Sequence, residues 1–154
     1  MWRAFRQMQQ NLFRVVEQQL ITDSQLSGPD YAVLVPLSEA EGQRLRARDL
    51  GRVMEWERSR LSHQLRRMEQ RGLVSRVGCP TDARGTFIEL TPAGRAAVQR
   101  AAPSHVEAVR ANFVDLMTAP EIAMFTDVCN RVLEHIRADG RSDVCAGEPV
   151  SADE

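Results

Sequence analysis

No lysine occurs among the 154 residues; all 20 basic side chains are arginine. A guanidinium presents a planar fork of donors suited to phosphate and guanine edges. A GC-rich coding sequence produces the same bias, so this absence adds only slightly to the case for a nucleic-acid partner. Cysteine is scarce: Cys79, Cys129 and Cys145 stand far apart with no CxxC pair. That argues against a disulfide framework and against a zinc site. No run approaches the roughly 18 apolar residues of a membrane span, and Met1-Trp2-Arg3-Ala4-Phe5-Arg6 lacks the apolar region of a secretory leader. A cytoplasmic protein without a membrane partner is expected. Histidine is limited to His63, His105 and His135, widely separated, and there is no GxSxG, HExxH or GxxxxGK[ST]. Nothing assembles a nucleophile, a metal or a phosphate loop, so no catalytic residue, metal or cofactor is expected.

What is present is a chain with 43% apolar and 27% charged residues, one domain's worth with a sizeable core. The net charge of −1 hides a segregation of sign. From Arg44 to Arg84 there are 11 Arg against 5 acids, a net of +6, while the other residues hold 9 Arg against 16 acids, a net of −7. A local field of this kind, rather than the total charge, steers a polyanion to a site.

The basic block centres on residues 59–74. Leu61, Leu65 and Met68 fall at i, i+4 and i+7 and predict one narrow buried stripe on a helix. Ser59, Ser62, His63, Arg66 and Arg67 face the other way, all hydrogen-bond donors with no acid among them. Gly72 is placed to stop the helix in a left-handed conformation, and Leu73 and Val74 turn back to the core. Such a helix suits the major groove of DNA, about 12 Å wide and lined with acceptors. An ordinary solvated helix shows the same face.

The surrounding elements favour the groove. Residues 2–21 carry Trp2, Phe5, Leu12, Val15, Val16 and Leu20 at mostly helical spacing. Ser27-Gly28-Pro29-Asp30 is a capped helix start, and Pro36 is expected to kink or shorten the helix that begins there. Residues 39–46 read as a polar connection. Asp49, Leu50, Val53 and Met54 predict a short helix ending near Glu55, with Trp56 in the gap before the second helix. Residues 75–79 and 86–90 read as strands joined by the turn-rich 80–85. Thr91-Pro92 starts a helix expected to reach toward Met117 with a kink at Pro103, and Thr118 starts a last one. From Ala138 onward five acids, one Arg and little apolar content predict a disordered tail.

In this order and spacing the motifs resemble the MarR family of winged helix-turn-helix regulators over roughly residues 2–137. The resemblance rests on Asp49-Leu50, on 59–74, on the wing motif Asp82-Ala83-Arg84-Gly85 and on Leu90-Thr91-Pro92-Ala93-Gly94. It implies a mainly α fold with a small β-hairpin wing, a winged helix-turn-helix with N- and C-terminal dimerisation helices. The units would be residues 1–24 (dimerisation helix), 27–91 (DNA-binding lobe), 92–137 (dimerisation helices) and 138–154 (acidic tail). It further implies a homodimer on double-stranded DNA bearing a palindromic operator, and a repressor is the expected role.

On the recognition helix the DNA-facing set is Ser59, Arg60, Ser62, His63, Arg66 and Arg67. Arg66 is the first candidate for reading a base and Arg67 for phosphate. Arg60 lies nearer the flank, where phosphate or an intramolecular carboxylate would take it, and His63 reads as a neutral donor. On the wing the resemblance assigns Arg76, Asp82 and Arg84, with Arg84 in the minor groove and Asp82 shaping the wing. An Asp82–Arg84 pair that merely closes the turn is the simpler alternative. Family members often bind small anionic aromatic ligands in a crevice; Trp2, Phe5, Tyr31, His105 and Arg110 are candidates here, though Trp2, Phe5 and Tyr31 equally suit a core. Cys79 is the one cysteine placed for redox control, and Cys129 reads as a small core residue. Gly51 stands where the family commonly has alanine. A winged helix used for protein contacts, or a redox-sensing regulator, are the competing functions.

Overall fold

The computed structural model describes residues 1–79 and 82–139; the side chains of residues 79 and 82–85 fall outside that description. Helix α1 (Trp2–Ser24) ends at Gln25, whose left-handed backbone reverses the chain. Helix α2 (Gly28–Glu39) then starts from a capping box: Ser27 Oγ accepts from the Asp30 backbone N–H, and Asp30 Oδ2 accepts from the Ser27 backbone N–H at 2.9 Å. Pro36, expected to kink or shorten α2, is carried inside the helix, which ends three residues later at Glu39. It lies in the last turn, where its missing N–H removes one bond, and the Ala40 N–H still closes on the Pro36 carbonyl at 3.1 Å.

The 39–46 connection holds more order than its polarity suggests. A 3₁₀ turn (Glu41–Gln43) leads into a short strand, β1 (Arg44–Arg46). Helices α3 (Ala47–Met54) and α4 (Arg58–Gln70) come next. The wing is made of β2 (Val74–Cys79) and β3 (Asp82–Leu90). All three strands form one antiparallel sheet in the order β1-β3-β2, with Leu45 opposite Ile88 and Arg76 opposite Ile88 on the other side. The expected turn over 80–85 is therefore corrected: Asp82 to Gly85 already belong to β3, and the register shifts between Gly78 and Cys79. Backbone pairing overrides the turn propensity of Asp and Gly here.

Helix α5 (Pro92–Asn112) runs through Pro103, stops short of Met117, and passes through a 3₁₀ turn (Val114–Leu116) into α6 (Ala119–Ala138). At the start of α6, Glu121 accepts from the Thr118 backbone N–H at 2.8 Å. The tail expected from 138 lies outside the described residues beyond 139.

The core sits under the helix-turn-helix. Leu20 and Leu26, then Val33, Leu34 and Leu37 of α2, Leu50 of α3, Leu61, Leu65 and Met68 of α4, and Ile88 and Leu90 of β3 are all buried, with Ala97, Val98 and Ala101 of α5 behind them. Leucine, valine and methionine on five helices thus close on one face of the sheet. Helix α6 contributes nothing to this core: none of its residues is buried, and Met124, Val128, Val132 and Ile136 form an exposed stripe at four-residue spacing. Cys129, expected in the core, lies only part-buried on α6, because this helix packs little against its own chain. No described helix is long and apolar enough to cross a membrane.

Candidate nucleic-acid interface

Helix α3 ends at Glu55, held left-handed at φ 51°, and the Trp56 N–H reaches back to the Gly51 carbonyl at 3.1 Å. Three residues, Glu55 to Glu57, separate α3 from α4. Trp56 is packed against the core from this turn. A methyl group at Gly51 would meet Leu61 Cδ2 at 3.5 Å, an ordinary contact. The glycine is therefore not required for space and costs the helix about 1 kcal/mol relative to alanine.

Helix α4 turns the expected stripe inward. Leu61, Leu65 and Met68 are buried, while Ser59, Arg60, His63, Arg66 and Arg67 are exposed and Ser62 is half-buried. Gly72, at φ 68°, ends the helix as expected: the Leu73 N–H bonds to Met68 O at 3.0 Å and the Gly72 N–H to Glu69 O at 2.9 Å. These are the paired bonds of a Schellman motif, and they deliver Leu73 and Val74 to the core. Among the described residues Arg60 has no carboxylate partner; its guanidinium carbon stands 4.2 Å from the centre of the Trp56 ring.

Sequence reasoning missed a buried polar network behind this helix. Asp30, 1% exposed, receives Gln64 Nε2 on Oδ1 at 2.7 Å and Arg71 Nη1 on Oδ2 at 2.6 Å. Arg71 Nη2 also donates to the Gln25 carbonyl at 2.9 Å, tying the end of α4 to the elbow between α1 and α2. One signal was present: Gln64 lies within the stripe of Leu61, Leu65 and Met68 and so had to be buried. Burial by itself pushes the Asp30 carboxyl up, but hydrogen bonds from Arg71 and Ser27, with the charge of Arg71, outweigh it and hold the group below its ordinary value.

Arg71→Met should therefore cost about 3 kcal/mol at neutral pH, the low end for breaking a buried pair, since Arg71 is 44% exposed and Ser27 and Gln64 still donate. A folded carboxyl pKa below the unfolded one contributes stability above the usual carboxylate range, and that stability is lost as pH falls through the folded pKa. Without Arg71, burial should dominate and raise the Asp30 pKa. Urea unfolding at pH 7 and pH 4 should show the gap between wild type and Arg71→Met narrowing on acidification; a gap that widens would contradict this account.

On the wing, Arg76 Nε pairs with Glu69 Oε2 at 2.9 Å, joining β2 to α4. The backbones of Asp82 and Arg84 lie in β3, but their side chains are outside the described residues, as is that of Cys79. The five crevice candidates fall into three groups. Trp2 and Phe5 stack at 5.8 Å on α1, both exposed. Tyr31 of α2 packs on His105 of α5 with ring centres 4.4 Å apart. Arg110 pairs with Asp115 at 3.2 Å. Burial lowers the His105 pKa, and burial with the charge of Glu39 raises that of Tyr31. A cleft of about 450 Å³ between α2 and the α3–α4 turn is lined by Tyr31, Val35, Glu39, Met54 and Trp56.

Two short helices joined by a three-residue turn, with a strand pair after the second, define a winged helix-turn-helix protein. A MarR family model matches residues 24–85. Among solved structures, the chain is similar to Sco3205, a MarR family transcriptional regulator from Streptomyces coelicolor crystallised in complex with DNA: 35% identity over 88% of this chain and 84% of that one, TM-score 0.85. It is similar to AbsC, another MarR family regulator from Streptomyces coelicolor, at 36% identity over 89% and 92%, TM-score 0.85. It also matches the PcaV transcriptional regulator of the same organism, in complex with its natural ligand, at 27% identity over 85% and 89%, TM-score 0.74. No curated protein matches the sequence. The chain belongs to the MarR family, whose members are transcriptional regulators and not enzymes.

Proposed function

We propose that this chain is a sequence-specific regulator that binds double-stranded DNA as a homodimer on a palindromic operator, acting as a repressor released by a small anionic or phenolic ligand. The observation that carries the reading is the outer face of α4. Arg58, Arg60, His63, Arg66 and Arg67 are exposed there, above a helix whose other side is locked into the core. The complex of Sco3205 with DNA supports it, as does the ligand complex of PcaV for a small-molecule effector. The homodimer is supported by the exposed apolar side chains of α6 and by Trp2, Phe5 and Phe13 on α1. Such a surface in one chain is what a partner of the same kind covers. Two α4 helices on a two-fold axis would then read half-sites about one helical turn apart. In this reading residues 27–91 form the DNA-binding lobe, and residues 1–24 and 92–137 pair the protomers. Any ligand would sit near Tyr31, beside His105 or the cleft.

The test is selection of duplexes by the purified protein from a randomised pool, with random duplex as the control. A recovered palindrome bound well above random duplex is expected, and failure to enrich any sequence would overturn the reading in favour of a protein-binding winged helix. Within it, Arg66→Ala should lower the preference for the selected site by about 1–3 kcal/mol, whereas Arg84→Ala should weaken binding to selected and random duplex alike. Equal losses on both duplexes for the two variants would remove that division of labour.

A further inference from the structure

Arg66 and Arg67 are neighbours on the exposed face of α4, yet their surroundings differ. Arg66 makes no hydrogen bond or ion pair among the described residues. Arg67 Nη2 donates to Gln64 Oε1 at 2.9 Å. Gln64 is 5% exposed, and its Nε2 donates to Asp30 Oδ1 at 2.7 Å. The other carboxylate oxygen of Asp30 is occupied by Arg71 and Ser27.

The order of donors along this chain of bonds is forced. An ionised carboxylate only accepts, so Gln64 must turn its amide NH₂ inward to Asp30 and its carbonyl oxygen outward to Arg67. The capping box at Ser27 fixes Asp30 in the first turn of α2. The direction of Arg67 is therefore referenced to α2, not to the flexibility of its own side chain.

We infer that Gln64 and Asp30 are positioning residues for Arg67, and that this relay sharpens the discrimination of one duplex from another. The inference rests on the DNA-binding reading above. A free arginine surrenders its rotamer freedom when it engages a phosphate or a guanine edge, whereas an arginine already held surrenders less and meets its partner with its fork aimed. The advantage belongs to a complex with a fixed register. On random duplex any nearby phosphate serves, and aim gains nothing.

The experiment uses the full chain and the duplex selected by the wild type. Gln64→Met keeps length and helix propensity while removing both the donor and the acceptor. It should lower affinity for the selected duplex about tenfold and leave affinity for random duplex within about twofold. In an Arg67→Ala background the same change should bring no further loss, because the group it positions is gone. Asp30→Asn, of the same shape, lets the Gln64 amide reverse and should reproduce the selective loss if Gln64→Met does not fold. Unchanged discrimination in these variants, or an equal loss with and without Arg67, overturns the inference alone. A wild type that prefers no duplex overturns the DNA-binding reading and the inference with it.

Discussion

Duplex binding by this protein should weaken by about 10³- to 10⁵-fold between 50 and 200 mM salt. The expectation comes from counting charges that the chain does not neutralise itself. In the basic block Arg71 is spent on Asp30 and Arg76 on Glu69, and Arg48 and Arg52 lie within 4 Å of Asp49. Arg58, Arg60, Arg66 and Arg67 of α4 have no carboxylate partner among the described residues. Arg60 rests on an indole and Arg67 on an amide, and neither of these partners carries a neutralising charge. Four such cations per protomer, doubled in a dimer, fall within the roughly 6 to 10 phosphate contacts that release enough counterions for this slope. Selected and random duplex should lose affinity together, since phosphates carry no sequence, while the ratio between them persists. A titration by fluorescence anisotropy at four or five salt concentrations measures this directly. An affinity indifferent to salt would mean that the arginine face meets something other than nucleic acid.

Gly94→Ala should be among the most damaging single substitutions in the chain, at about 3 kcal/mol or more. Helix α5 begins where β3 ends and where α4 hands over to β2, and three segments meet at Thr91. Its Oγ1 accepts from the Gly94 N–H at 3.0 Å, while its hydroxyl lies 2.6 Å from the Gly72 carbonyl and 3.0 Å from that of Leu73. A Cβ on Gly94 would stand 2.0 Å from the Leu73 carbonyl oxygen and 3.0 Å from Leu90 Cδ1. The first of these is backbone, pinned by the bonds that end α4, so no side-chain rotation relieves the clash. For a domain of this size the loss should lower the melting temperature by roughly 6–12 °C. Urea unfolding of Gly94→Ala with less than about 1 kcal/mol lost would show that the α5 start can slide away from the sheet. The damage is to the fold, and any DNA-binding loss should scale with it.

That glycine also shows where sequence reading reached and where it stopped. Leu90-Thr91-Pro92-Ala93-Gly94 was legible as a capped helix start, and as part of the resemblance to the family. Why its last position must be glycine was not, because the obstructing atom belongs to Leu73, twenty-one residues earlier. The recognition helix divides the same way. Its buried stripe, its polar face and its stop at Gly72 come from a period of 3.6 residues and from backbone freedom, both local properties. Gln64 inside the stripe announced burial but not its partner, and nothing in the sequence around Arg71 pointed to Asp30.

The sequence by itself determined the order of the six helices and the two wing strands, the caps at Ser27, Thr91 and Thr118, the segregation of basic charge and the membership of the family. All of these depend on residues within a few positions of one another or on composition. Only the tertiary structure decided that β1 completes a three-stranded sheet, that Pro36 and Pro103 are carried inside their helices, that Arg60 lies on Trp56 and that Arg71 closes on Asp30 forty-one residues away. Each of these is a long-range choice among several chemically acceptable partners. Packing makes that choice: the one arrangement that buries the apolar stripes of α2, α3 and α4 against the sheet also brings Gln64 and Arg71 to the carboxylate of Asp30, where an unpaired charge would be costly.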